Sequence, residues 1–344
     1  MPSRRRALLV LALLALLAAA SLWLALAAGS LPITAHDIFT ALFSGRPAGQ
    51  AGQGIQGSSA LAIEVVRGLR LPRALGAFAC GGLLALAGAL MQILLRNPLA
   101  DPYVLGVSGG ASVGALLAIF YGLALWLVDL AAFAGAFAAL LLVFGLAHGD
   151  NSWTRARLLL TGVIVAAGCG AAVALILSIA PESQLRGMLF WLMGDASQIV
   201  EPRPALGVLA AALLLALPFA RELNVLARGD ALAQTLGVPV ARVKRGVYFL
   251  AALATATAVT TAGSIGFIGL IVPHLVRLWL LRQGWGNDQR LLLPATALVG
   301  GSLLLLADTL ARTLLAPQQL PVGVLTALLG VPVFLFLLGR EKAG

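Results

Sequence analysis

The sequence predicts an all-α polytopic membrane protein of about ten transmembrane helices, and three observations carry that prediction. Of the 344 residues, 60% are hydrophobic and only 10% charged, against roughly 25% charged in ordinary soluble domains. Runs such as 7–28, 158–180 and 291–307 reach or approach the roughly 20 apolar residues that cross a bilayer. The Lys and Arg behind the formal net charge of +10 sit at the ends of these runs. That is the distribution of membrane topology. It is not the basic stripe interleaved with aromatics that nucleic-acid binding requires, and a barrel would show short alternating segments instead.

The first span follows Arg4–Arg6 and covers 7–28. It looks like a secretory signal, but its apolar stretch exceeds the roughly 7–15 residues of a signal core, so it reads as a helix that stays. Residues 30–66 form a polar connection containing "SGRPAGQAGQGIQGSS"; its Gly, Gln and Ser content predicts a mobile loop. Further spans are predicted at 74–95, 104–122, 126–147, 157–180, 203–220, 247–262, 266–281, 291–311 and 321–338. Pro98 and Pro102 in "RNPLADP" forbid a continuous helix between the second and third of the ten, so that segment must turn. Gly106, Gly110 and Gly114 lay a smooth strip along the third, suited to close helix packing. The segment 182–200 is too short and interrupted to span, and predicts a brief re-entrant or interfacial helix. Placing Arg4–Arg6 inside puts 16 of the 23 Lys and Arg on one side. The positive-inside bias then sets both termini in the cytoplasm.

The most highly charged interruption is "RELNVLARGDALAQTLGVPVARVKRG" at 221–246, on the cytoplasmic side of that topology. Asp230 can accept hydrogen bonds from the free N–H groups that start a short helix. Gly237 suits the left-handed residue that ends one, and Pro239 suits the first position of a second short helix. A start and a stop around one and a half turns describe an ordered object, and the stretch reads as a docking element for a cytoplasmic partner.

Other residues have blander readings. Cys80 and Cys169 lie in apolar segments and pack as small hydrophobes. His274 follows Pro273 and suits freed backbone carbonyls better than a metal. Met91, Met188, Met193 and Tyr103 show no ligand spacing. The sequence contains neither an H-E-x-x-H pattern nor a G-x-x-x-x-G-K-[ST] phosphate loop, and the span centres carry few of the ionisable groups on which ion-coupled carriers rely. Arg70 and Arg73 of "RLPR" sit on the outer face, against the charge bias, where they either dock a partner or snorkel at the interface. Arg312 has Asp308 one turn earlier and could simply pair with it.

Together, "RLPRALGAFACGGLLALAGALMQILLRNPLADPYVLGVSGGASVG" at 70–114, "LRGMLFWLMGD" at 185–195, "GDALAQTLGV" in the polar stretch, "GSIGFIGLIVPHLVR" at 263–277 and "ADTLARTLLAPQQLPVGVLTALLGVPVF" at 307–334 resemble the FecCD-type permeases of bacterial ABC importers for iron chelates and cobalamin. The resemblance runs through nearly the whole chain after the first helix. It implies one transmembrane permease domain over 1–344 with large-type (type II) importer architecture, in a homodimer of ten-helix subunits in the bacterial inner membrane. It implies two cytoplasmic ABC ATPase subunits, which hold the ATP and Mg, and a periplasmic substrate-binding protein; this chain needs no cofactor or metal. Coupling to the ATPase falls to Asp230, Ala231, Leu232, Leu236, Gly237, Val238 and Arg242. Binding-protein docking falls to Arg70, Arg73 and Arg312, and the cytoplasmic gate to Asn97 and Leu99, where a tight turn capped by Asn97 is the plain alternative. Haem or a ferric siderophore is the expected cargo, with cobalamin as the alternative; an ion-coupled carrier is the competing class.

Overall fold

The computed structural model describes residues 4–29, 31, 33–43, 57–147 and 155–341. Its helices, in order, are α1 (Arg4–Ala27), α2 (Ala35–Phe43), α3 (Gly57–Val65), α4 (Leu71–Leu95), α5 (Val107–Phe120), α6 (Leu125–Ala147), α7 (Arg155–Ile179) and α8 (Glu182–Met193). They continue with α9 (Arg203–Ala216), α10 (Ala220–Arg228), α11 (Asp230–Thr235), α12 (Val240–Ala262), α13 (Ile268–Arg282), α14 (Gln289–Thr313) and α15 (Val322–Glu341). No strand occurs among the described residues. The ten predicted spans fall on α1, α4, α5, α6, α7, α9, α12, α13, α14 and α15. Among the described residues, six stretches are each long and apolar enough to cross a membrane on their own; the remaining helices of the ten are shorter or less apolar. The chain is an all-α polytopic membrane protein.

Helix α4 is the axis of the bundle. Every residue from Ala79 to Leu95 is buried, and α9, α12, α13 and α14 surround it. Small residues make this possible. A Cβ on Gly88 would collide with the backbone carbonyl of Gly269 in α13, so the two helices touch backbone to backbone. Lipid gives no hydrophobic drive for helices to associate, and such close approach is what holds them together. The Gly110–Gly114 strip of α5 packs in the same way on Ala131 and Gly135 of α6. Close packing thus accounts for that strip.

Helix ends sort onto two faces. On one face, the end of α4 meets the starts of α11 and α12, through contacts described below, and Asn224 of α10 donates from Nδ2 to Asp288 at the start of α14 (2.9 Å). On the other, the ends of α1 and α14 meet the start of α4.

Three expectations are corrected in part. The polar connection 30–66 holds two helices. Thr34 and Asp37 form a reciprocal capping box at the start of α2, with the Thr34 N–H donating to the Asp37 carboxylate (3.1 Å) and the Asp37 N–H to Thr34 Oγ1 (3.2 Å), an N-terminal signal present in "TAHD". The stretch 44–56 lies outside the described residues. The second short helix expected after Pro239 is the beginning of α12 itself, because Val240, Val243, Val247 and Ala251 continue one buried helical stripe without a break. Asp230 is the first residue of α11 rather than its cap, and its carboxylate is engaged elsewhere.

Candidate functional site

The polar stretch 221–246 folds into three connected pieces. Helix α10 buries Ala220, Leu223 and Leu226 and leaves its polar side outward. Gly229, with φ 146 and ψ 146, then redirects the chain. Helix α11 ends in a paired stop: the Gly237 N–H donates to the Gln234 carbonyl (3.0 Å) and the Val238 N–H to the Ala233 carbonyl (2.9 Å). This is the Schellman arrangement, with Gly237 left-handed at φ 77. Ala233 is fully buried and roots the short helix.

The outward side presents two leucines beside exposed Gln234 and Thr235. Leu232 and Leu236 are 43% and 62% exposed; Ala231, Gly237 and Arg242 are exposed as well, and Val238 is half-buried. A compact apolar knob on an ordered polar turn is the kind of surface that marks a protein contact. Six of the seven predicted coupling residues thus lie together at its surface, and the seventh, Asp230, lies beneath them.

Asp230 accepts from two cations. Nη2 of Arg96, the residue that ends α4, donates to Oδ1, and Lys244 Nζ of α12 lies 2.6 Å from Oδ2. Arg96 is one of two described non-glycine residues with positive φ (49°), a conformation that disfavours bulky side chains. The Lys244 side chain is only 10% exposed, and lysines are rarely that buried unless paired. Sequence reading missed both partners. The available signal was that Asp230 is the sole acid between Arg228 and Arg245, too few anions for the cations around it.

The turn after Arg96 is capped by Asn97, whose Oδ1 accepts from the Leu99 N–H at 2.9 Å, while the Ala100 N–H donates to its carbonyl at 3.1 Å. Leu99 is 37% exposed beside it. In the same connection Asp101 accepts from the Tyr103 N–H at 2.7 Å; burial pushes its carboxyl up to about 6, against the pull of that hydrogen bond.

On the opposite face the three predicted docking arginines are brought together and held within the subunit. Arg73 forms a bidentate pair with Asp308 (Nε to Oδ2 2.9 Å, Nη2 to Oδ1 2.8 Å) and reaches Gln319 at 2.8 Å. Asp308 is 2% exposed. Its bonded partner is therefore Arg73, on the neighbouring helix α4, whereas Arg312 donates to the Ala25 carbonyl. Arg70 is buried and donates to the carbonyls of Leu26 (2.7 Å), Ala27 (3.2 Å) and Leu31 (2.8 Å). Two guanidinium groups thus cap the carbonyl end of α1, where the helix dipole favours cations.

Between the two faces, irregular backbone meets. The Asp195 N–H after α8 donates to the Ala262 carbonyl at the end of α12 (2.9 Å), and the Gly323 N–H of α15 to the Gly194 carbonyl (3.2 Å). The Tyr103 hydroxyl donates to the Ile265 carbonyl and accepts from the Ile265 N–H, both at 2.9 Å. Such breaks are tolerated at membrane depth where protein or a water-filled path surrounds them. Helix α8, with 12 residues, is too short to span, as expected for 182–200. Among the described residues no group of three His, Cys, Asp or Glu comes together to hold a metal.

The chain is similar to known proteins over most of its length. Residues 14–340 match the model of the FecCD transport family. The hemin transport system permease protein HmuU of Yersinia pestis is 44% identical over 80% of this chain and 83% of its own. The cobalamin import system permease protein BtuC of Halobacterium salinarum is 44% identical over 80% of this chain and 73% of its own. A solved metal-chelate type ABC transporter in an inward-facing conformation is 31% identical, with a TM-score of 0.78, covering 97% of this chain and 99% of that one.

Proposed function

The chain belongs to the FecCD transport family and is an ABC permease, and on that premise we propose that it is the membrane subunit of a binding-protein-dependent importer of an iron chelate, haem or a ferric siderophore. Two copies form the pathway in the bacterial inner membrane. Two cytoplasmic ATPase subunits, carrying the ATP and Mg, dock on the α11 turns, and a periplasmic protein delivers substrate to the face of Arg70, Arg73 and Arg312. Both termini lie in the cytoplasm, as the charge bias favours.

The single observation that carries this reading is the α11 knob. An ordered turn exposing Leu232 and Leu236, tied to two helices through Asp230, is what a chain without its own phosphate loop needs to receive motion from a separate ATPase. Closure of the ATPase pair displaces α11. The turn at Asn97 and Leu99 and the outer end of the pathway then exchange accessibility, each state favoured by a different ligand. The outer arginines can serve docking only through the surface their internal bonds leave free, or after those bonds open.

Haem is supported by the likeness to the hemin permease. Cobalamin stands as the second reading, because a cobalamin permease matches at the same 44% identity. The deciding experiment reconstitutes the permease with its co-purified ATPase and binding protein and measures ATP hydrolysis on adding haemin, a ferric siderophore or cobalamin. Stimulation by haemin or the siderophore supports the reading. Stimulation by cobalamin alone moves it to the second cargo, and uptake without nucleotide would end it.

A further inference from the structure

Asp230 lies where three helices end or begin, and each of its carboxylate oxygens is held by a different one. Arg96 closes α4 and Lys244 lies in the second turn of α12. The Arg96 guanidinium lies beside Gly229, with Nη1 3.6 Å from where a Cβ of that residue would stand. That glycine is what lets the chain bend back over the arginine. All three side chains are largely shielded, at 23% exposed for Arg96, 34% for Asp230 and 10% for Lys244. Charge-assisted bonds of this sort are the stronger class, and removing their shared anion would leave two half-buried cations facing each other. Helix α11 therefore cannot shift without moving, or breaking from, the ends of both α4 and α12.

The two helices so attached lead to different places. Helix α4 is the buried axis, and the Asn97–Leu99 turn follows directly from Arg96. Helix α12 leads to the irregular backbone at 263–267, which Tyr103 holds. We propose that Arg96 and Lys244 are positioning residues of a two-armed clamp that passes the displacement of α11 into α4 and α12, separately from the apolar surface that grips the partner. This rests on the reading of α11 as the ATPase dock. It separates two tasks within one loop: Leu232 and Leu236 bind, and the clamp transmits.

The test uses the permease co-purified with its ATPase subunit, in a Cys80→Ala/Cys169→Ala background. Leu99→Cys serves as a reporter of the α4 turn, and its rate of thiol labelling is measured with and without ATP and vanadate. With the clamp intact the rate should change at least about fivefold; Arg96→Gln should reduce that response below about twofold while the ATPase stays bound, and Arg96→Lys should restore it. Lys244→Gln leaves the 96–100 turn untouched and Asp230 still paired with Arg96. It should cut the response by about half or more, and it decides the matter if Arg96→Gln does not fold. A full response in every glutamine variant that folds, or no response in the intact clamp with the ATPase bound, overturns the proposal and leaves the docking reading standing. Failure of the intact permease to bind any ATPase overturns both.

Discussion

Replacing Gly237 with leucine separates docking from folding. The residue has φ 77, and a Cβ added there meets nothing within 4 Å, so the new side chain clashes with no neighbour. The cost is that of holding an L-residue in the left-handed region, about 1–2 kcal/mol. It is confined to the end of α11, against a total stability of order 5–15 kcal/mol for a folded domain. The subunit should therefore fold and purify as before. The leucine, however, projects from the knob beside Leu236, where a seated partner would have to move aside. A loss of about 1.4 kcal/mol at one packed contact weakens binding about tenfold. Pull-down of the ATPase should fall by that factor or more and substrate uptake with it, while Gly237→Asn, which tolerates the left-handed conformation, should keep most of both. Wild-type ATPase binding and uptake in a folded Gly237→Leu permease would refute the assignment of this turn as the dock.

Other outcomes follow from the same geometry. Arg73→Ala strips buried Asp308 of its bidentate partner and leaves it only the charge of nearby Arg312, so it should cost at most about 3–5 kcal/mol, read as a lowered unfolding midpoint in detergent; Arg73→Met/Asp308→Leu should recover most of it. Gly88→Val places a branched side chain against the Gly269 carbonyl and should destabilise by at least the 1–3 kcal/mol typical of overpacking, whereas Gly168→Ala, which meets open space inside a helix, should not lower the midpoint of the same melt. Because the Asp101 carboxyl is raised from 3.8 to about 6 in the fold, its protonated form is the one the fold favours. Stability from this group is fully present below about 4 and is lost as pH rises to about 6. Asp101→Asn should remove that loss, seen as a melting temperature that no longer falls over this window relative to wild type.

The spans were legible because apolar runs bounded by charge or Gly and Pro reflect a solvent that forbids unpaired backbone. The α11 stop was legible too, since Gly237 must be left-handed and Val238 follows it into the core. What sequence could not supply were bonds between residues far apart in the chain. Asp230 looked like a helix cap because its neighbours along the chain permit that; its partners, 134 residues before it and 14 after it, are visible only once α4 and α12 stand side by side. Likewise Asp308 has Arg312 one turn away, yet Arg73 reaches it from 235 residues earlier. Local spacing proposes partners, and packing chooses among them. Helix α2 was different: its Thr34–Asp37 signal lay in the sequence and was masked by the Gly-rich composition that follows it.

The most direct measurement is the sidedness of Leu236 and its protection. In a Cys80→Ala/Cys169→Ala background, Leu236→Cys is treated with a membrane-impermeant maleimide in sealed vesicles of both orientations, with and without the ATPase subunit. A grip from the cytosol predicts labelling from the cytoplasmic side only, and its suppression when the ATPase is bound. Labelling from the periplasmic side, or labelling indifferent to the ATPase, would mean that no energy-supplying partner holds this turn.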